Sequence, residues 1–304
     1  MSSGLTRLFQ EYRSMLKGPE LEEILDLVLF RPVAFVLVKI LQPTPITPNH
    51  VTLFSFLPGL ASGWCFWQGT PDYFVAGSIL LFITNVLDCV DGMLARIRGT
   101  GSIVGYVLDG FVDYVTQIFL FIGVLHGMSV LTGQPYYIMA IGIPAGISFA
   151  WWSAMVDRIR NEWLDRVYGK RRDPEVELKE LREQTAIWKA ERSHRPERAL
   201  IAIYAGYAKF WYSGPATKNY VDRDSVPLEE WKTARRPILP MAALMGPTMH
   251  LFLIMLAGVF NKLDWYLWFA LVFGTGWGFF VLTVRGVIDR KLAVKLADKL
   301  AKGA

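Results

Sequence analysis

Cysteine is nearly absent from this chain: Cys65 and Cys89 are the only two among 304 residues. Two thiols in apolar surroundings exclude a disulfide framework and a zinc site, and they read as small buried side chains. The N-terminal stretch MSSGLTRLFQEYRSMLKGPELEE lacks the apolar core of a secretory signal, so membrane insertion is expected to rely on internal segments. Basic residues are nowhere interleaved with aromatics in a run, which excludes nucleic acid as a partner despite a net charge of +5. A basic surplus of this kind suits anionic lipid instead. No strand leads into a glycine-rich loop and helix, so a nucleotide has no Rossmann or P-loop cradle here. Internal repeats and low-complexity tracts are missing as well.

What is abundant is apolar: 53% of residues are hydrophobic and the mean hydropathy is positive. A bilayer core takes ~20 mostly apolar residues per helix. Six stretches qualify, at 51–67, 73–94, 103–125, 137–156, 238–260 and 265–287. A further stretch, 24–41, is interrupted by Asp26, Arg31, Pro32 and Lys39, and reads as a helix lying in the interface. The turns at 68–72 and 127–135 carry no Lys or Arg, and that at 261–264 carries Lys262. The opposite side holds Arg96, Arg98, Arg158, Arg160, Arg235, Arg236, Arg285, Arg290 and Lys291. The positive-inside rule therefore puts both termini, and the junction of spans two and three, in the cytoplasm.

The expected fold is an all-α integral membrane protein with six transmembrane helices, an N-terminal interfacial helix and a long helical cytoplasmic insert. Residues 1–48 form the N-terminal segment and 49–156 the first four spans. Residues 157–237 form the insert, and 238–304 the last two spans with a basic tail. Within the insert, DPEVELKELREQTAIWKAERSHRPER reads as charged helix broken at Pro196. The aromatic, amphipathic stretch 199–215 suits the membrane surface or a cover over the site.

Four aspartates interrupt the apolar pattern in LDCVDGMLARIRGTGSIVGYVLDGFVDYV. A carboxylate at a helix centre in the membrane costs roughly 3 kcal/mol. Asp88 and Asp91 are three apart at the end of span two; Asp109 and Asp113 are four apart at the start of span three. Such spacings put each pair on one helix face. The short link IRGTGS makes the two helices antiparallel neighbours, so the faces converge. Converging carboxylates need cations among them, and hard oxygen donors favour Mg2+ or Mn2+. A pair of such ions is a device for holding a diphosphate. Gly92 and Gly105 leave room for a substrate or for close helix approach, and Arg96 can pair with a phosphate.

The pattern Asp88-x2-Asp91-Gly92-x2-Ala95-Arg96-x8-Gly105-x3-Asp109-x3-Asp113 resembles the signature of the CDP-alcohol phosphotransferase family. The stretch TPITPNHVT before span one is similar to the Pro-Asn-x-x-Thr sequence often found there. The resemblance implies attack by an alcohol on the diphosphate of a CDP-linked donor, with release of CMP. It implies that Asp88, Asp91 and Asp109 hold two Mg2+ or Mn2+ ions, with Asp113 as general base and further metal contact. Gly92, Ala95 and Gly105 then make room for the CDP portion, Arg96 steadies it, and Asn49 and Thr52 shape the nucleotide end. The implied partners are the CDP-linked donor, an alcohol acceptor and membrane lipids, and the family accommodates a homodimer. The favoured donor is CDP-diacylglycerol with a polar alcohol as acceptor. Alternatives are a soluble CDP-alcohol with a diacylglycerol-type acceptor, and inositol-phosphate-type phosphodiester synthesis. Outside the family stand an aspartate-rich membrane prenyltransferase and a non-catalytic metal-binding transporter or scaffold. For the acceptor, Arg158, Arg160, Arg235 and Arg236 are candidates by position, although the charge bias alone accounts for them. His250, Trp151 and Trp152 read as packing or interface residues.

Overall fold

The computed structural model describes residues 2–18, 20–169, 174–212 and 226–303. Among them the secondary structure is entirely helical. The helices are α1 (Ser2–Ser14), α2 (Arg31–Leu41), α3 (Pro48–Trp67), α4 (Pro71–Arg98), α5 (Ile103–Thr132), α6 (Pro135–Tyr168), α7 (Pro174–Ala190) and α8 (Arg195–Tyr212). They continue with α9 (Leu228–Arg235), α10 (Ile238–Ala243), α11 (Pro247–Val259), α12 (Leu263–Trp268) and α13 (Thr275–Gly303). Single π turns lie at Asp26–Phe30 and Phe269–Gly274. Five segments are long and apolar enough to cross a membrane: Pro71–Arg98, Val104–Thr132, Pro135–Tyr168, Ile238–Val259 and Leu263–Asp298. The chain divides into two compact units, one of Met1–Ser153 with Ala243–Thr275, the other of Ala154–Ala242 with Gly276–Ala304.

The first unit is organised around α3. The Thr47 side chain accepts the His50 N–H at 3.3 Å, and His50 Nδ1 accepts the Thr47 N–H at 3.3 Å. Pro48 takes the first helical position, where its missing N–H has no consequence. On one side the Ser62 hydroxyl donates to the Gly77 carbonyl of α4 at 2.7 Å. On the other, Gly63 and Gly123 bring α3 and α5 into backbone contact, so that a Cβ on Gly123 would drive into the Gly63 carbonyl. Small residues permit this approach where helices lack water to drive them together. As a result α4 packs mainly on α3, α11 and α2, and α5 mainly on α3. Both α4 and α5 lean on α3, and the expected convergence of their faces is seen where Asp88 and Asp91 meet Asp109.

The N-terminal segment is built into this unit. Glu23 is buried and its Oε2 accepts the Met249 N–H at 3.1 Å, satisfying an orphan donor of the first turn of α11. Asp26 accepts the Thr248 hydroxyl at 3.3 Å. Tyr12 donates to the Leu27 carbonyl at 3.3 Å, and Lys39 pairs with Glu11 at 2.7 Å. Arg98 donates to the carbonyls of Ile46, Leu41, Gln42 and Thr44 at 2.6–3.0 Å and so holds the turn between α2 and α3. Cys65 and Cys89 are free and buried, as expected.

In the second unit, Glu162 is buried and pairs with Arg235 at 3.4 Å and Arg285 at 2.9 Å, while Asp289 pairs with Arg235 at 2.5 Å. Trp163 and Trp231 pack at 5.6 Å between ring centres, and Arg166 lies 4.7 Å over Trp231. The break in the charged insert falls at residues 191–194, where Arg192 and His194 take positive φ of 55° and 53°, and not at Pro196. Pro196 sits in the first turn of α8, a position proline tolerates. Of the amphipathic stretch 199–215, the last three residues lie outside the described residues.

Candidate active site

The site forms where α4 ends and α5 begins. Arg98 is the last residue of α4 because Gly99 takes the left-handed conformation, φ 63°, and its N–H closes on Ala95 and Arg96. Ser102 starts α5 by accepting the Gly105 N–H at 3.0 Å. The chain thus turns in a few residues and returns with its aspartates facing those it has just passed.

Asp88, Asp91 and Asp109 each offer an oxygen within 4.8 Å of the others. Asp113 lies outside that trio but within hydrogen-bonding reach of Asp88, as does Asp109. Asp91 is the most enclosed, 5% exposed, and accepts the Thr52 hydroxyl at 2.5 Å. Three or four ionised carboxylates so close repel one another, and the arrangement calls for positive charge among them. The donor set is all oxygen and anionic, which fits a hard divalent cation and not a soft one.

The remaining predicted residues surround this group. Asn49 reaches from α3 to α5: its Oδ1 would stand 2.8 Å from a Cβ added to Gly105. The guanidinium of Arg96 folds back over Gly92, with Nη2 3.2 Å from where a Cβ would be. Arg96 Nε donates to the Met15 carbonyl, so the N-terminal segment holds this side chain in place. Ala95 lies in the closing turn of α4, and its carbonyl accepts the Thr100 N–H at 3.1 Å.

Sequence reasoning missed the contribution of the N-terminal segment. Arg31 is 8% exposed, pairs with Glu22 at 2.6 Å and stands in electrostatic range of Asp88. Lys17 lies in range of Asp88 and Asp109. The signal was present: Arg31 and Asp26 interrupt an apolar run just as the four aspartates do. Of the acceptor candidates, Arg235 is committed to Glu162 and Asp289, and Arg160 approaches Asp157 at 4.0 Å. His250 is fully buried, packs against Phe149 at 4.7 Å and meets the Tyr266 hydroxyl at 3.3 Å, which is a packing role. Trp152 is buried and Trp151 is exposed.

Five segments are long and apolar enough to cross a membrane, and the carboxylates meet where two of these helices join; ionisable groups in such a place mark a candidate functional site. Residues 45–170, which span α3 through α6, match the CDP-alcohol phosphatidyltransferase family. It is 34% identical over 89 residues to archaetidylinositol phosphate synthase of Pyrococcus horikoshii, covering 29% of this chain and 46% of that one. It is 31% identical over 94 residues to phosphatidylinositol phosphate synthase of Corynebacterium glutamicum, covering 31% of this chain and 40% of that one. The chain thus spans less than half the length of these curated relatives.

Proposed function

We propose that this chain is a metal-dependent membrane transferase that moves a phosphatidyl-type group from a CDP-linked donor to an alcohol, releasing CMP. The observation that carries the reading is the meeting of Asp88, Asp91 and Asp109 within 4.8 Å, inside the segment that matches the family. In this reading those three residues, with Asp113 beside them, hold two Mg2+ or Mn2+ ions. Bound there, the ions neutralise the diphosphate and make CMP a better leaving group.

The residues of the chain do the rest. Asp113 takes the proton of the acceptor hydroxyl. The hydroxyl oxygen bonds to the donor phosphorus, the bond from that phosphorus to the CMP oxygen breaks, and CMP departs with the electron pair. Thr52 fixes the orientation of Asp91 by donating to it. Gly92, Ala95 and Gly105 leave space for the nucleotide portion, with Asn49 forming its edge. Arg96 steadies a phosphate. The favoured donor is a CDP-diacylglycerol-type lipid. For the acceptor, the names of both relatives support a phosphorylated inositol over an uncharged alcohol. A soluble CDP-alcohol with a lipid acceptor is the alternative that the same assay separates.

For topology, α3 is the sixth span: its 20 residues reach ~30 Å, the thickness of a bilayer core. The α2 helix lies in the interface, where its exposed Val33, Val36 and Ile40 meet lipid. Both termini and the aspartates face the cytoplasm, following the distribution of Arg and Lys.

The deciding experiment is CMP release by the purified protein in lipid with Mg2+ or Mn2+. CDP-diacylglycerol and CDP-choline are each offered against a panel containing inositol phosphate, inositol, glycerol phosphate and diacylglycerol. Acceptor-dependent CMP that is lost in Asp113→Asn supports the reading. A folded, Mn2+-binding protein that releases no CMP from any pair overturns it.

A further inference from the structure

Arg31 spends one nitrogen. Its Nη2 meets Glu22 Oε2 at 2.6 Å. Its Nε and Nη1 are buried and have no hydrogen-bond partner among the described residues. Burial works against its charge, but Glu22, Asp26 and Asp88 nearby hold its pKa above the ordinary guanidinium value. An unsatisfied, charged, buried donor pair is costly, and native structures keep such groups for a reason.

The surroundings say what that reason is. Arg31 and Arg96 both stand in electrostatic range of Asp88 and of each other. The Arg96 Nε is fixed to the Met15 carbonyl. Glu22, the partner of Arg31, is also fixed, because its Oε1 accepts the Lys17 N–H at 2.8 Å. The fork of Arg31 is therefore pre-oriented, and planar forks of this kind match phosphate oxygens. A counter-ion needed only to offset Asp88 would have closed to hydrogen-bonding distance. Arg31 stands back, with donors unspent.

We infer that Arg31, which precedes the family-matched segment, is a phosphate ligand of this site and holds a phosphate oxygen of a substrate beside Asp88. The inference rests on the phosphoryl-transfer reading above. The phosphate comes from one of two sources, the diphosphate of the donor or the phosphate of a phosphorylated acceptor.

The test uses the full chain in lipid nanodiscs and calorimetric titration with two probes. CDP is titrated with cytidine as its phosphate-free control, and myo-inositol 1-phosphate with myo-inositol as its control. Arg31→Gln is expected to weaken one phosphate probe at least about tenfold, the scale of a lost charge-assisted hydrogen bond. Weakening of CDP assigns the donor, and weakening of inositol phosphate assigns the acceptor. Arg31→Lys is expected to recover only part of the affinity, since an ammonium lacks the fork. Glu22→Gln, whose side-chain amide oxygen can still accept from Arg31, is expected to lose clearly less affinity than Arg31→Gln. If Arg31→Gln does not fold, the double variant Glu22→Gln/Arg31→Gln removes both partners together and carries the same measurement. Unchanged affinity for both phosphate probes overturns the inference. So does equal loss in Glu22→Gln and Arg31→Gln, or altered Mn2+ affinity with phosphate affinity intact. A wild-type protein that binds CDP but never releases CMP counts against the reaction and leaves the Arg31 measurement decisive.

Discussion

Replacing Thr52 by valine tests whether the carboxylate cluster is held for metal. Thr52 is 4% exposed, and its hydroxyl lies 2.5 Å from Asp91 Oδ2 and 3.2 Å from the Pro48 carbonyl. One hydroxyl proton serves one strong bond, and the shorter contact, to a carboxylate, claims it. Valine keeps the shape and deletes the donor. A hydrogen bond to a charged group contributes about 1.5–3 kcal/mol, or roughly ten- to a hundredfold in an equilibrium constant. Removing a partner that orients a metal ligand has the same scale, roughly 10–100-fold in metal affinity. The expected result is a rise of that size in the Mn2+ dissociation constant. It is read directly by electron paramagnetic resonance of free Mn2+ and, independently, by the metal dependence of CMP release. Thr52→Ser restores the donor and should recover most of the affinity. An unchanged Mn2+ affinity in Thr52→Val, with the fold intact, would refute the reasoning.

Three further outcomes are expected. Asp113→Asn should lower CMP release by at least about a hundredfold with a much smaller loss of Mn2+ affinity by resonance; equal losses of both would leave metal binding as the whole of its role. Gly123→Ala should destabilise the protein by about 1–3 kcal/mol, because its Cβ meets the backbone of Gly63 and not a side chain that can turn aside; thermal unfolding in detergent measures it. Arg98→Ala should cost about 2–3 kcal/mol, and Arg98→Lys should fail to restore it, since one ammonium cannot serve carbonyls of four residues; unfolding midpoints equal to wild type in the lysine variant would contradict this.

The aspartates were legible in the sequence because both signals are local. Helical spacing puts each pair on one face, and the membrane penalty marks such residues as purposeful. Three helices start two or three residues ahead of the expected spans, at Pro48, Pro71 and Pro135, whereas Pro247 begins a new helix inside the expected span 238–260. Helix ends were less legible. The apolar span 137–156 belongs to a helix that continues to Tyr168, because hydropathy reports bilayer thickness while hydrogen bonding decides where a helix stops. The close packing of α5 on α3 depends on Gly63 meeting Gly123 sixty residues away. The four carbonyls under Arg98 are likewise more than fifty residues from it. Periodicity carries no information about such meetings. Arg31 was discounted for the company it keeps, an apolar run too interrupted to read as a span, although the rule that singled out the aspartates applied to it equally.

The docking of Glu23 and Asp26 onto Met249 and Thr248 has a consequence for how the protein is made. These contacts join residues 226 and 222 positions apart. At a synthesis rate of about 5–20 residues per second, roughly 10–45 s separate the emergence of the two sides. Throughout that interval the N-terminal segment, with Arg31 on it, has no α11 to dock against. The aspartates themselves are already synthesised by then. Docking of this segment beside the carboxylates therefore waits for α11, and until then the bundle holds its aspartates without the N-terminal segment locked against them.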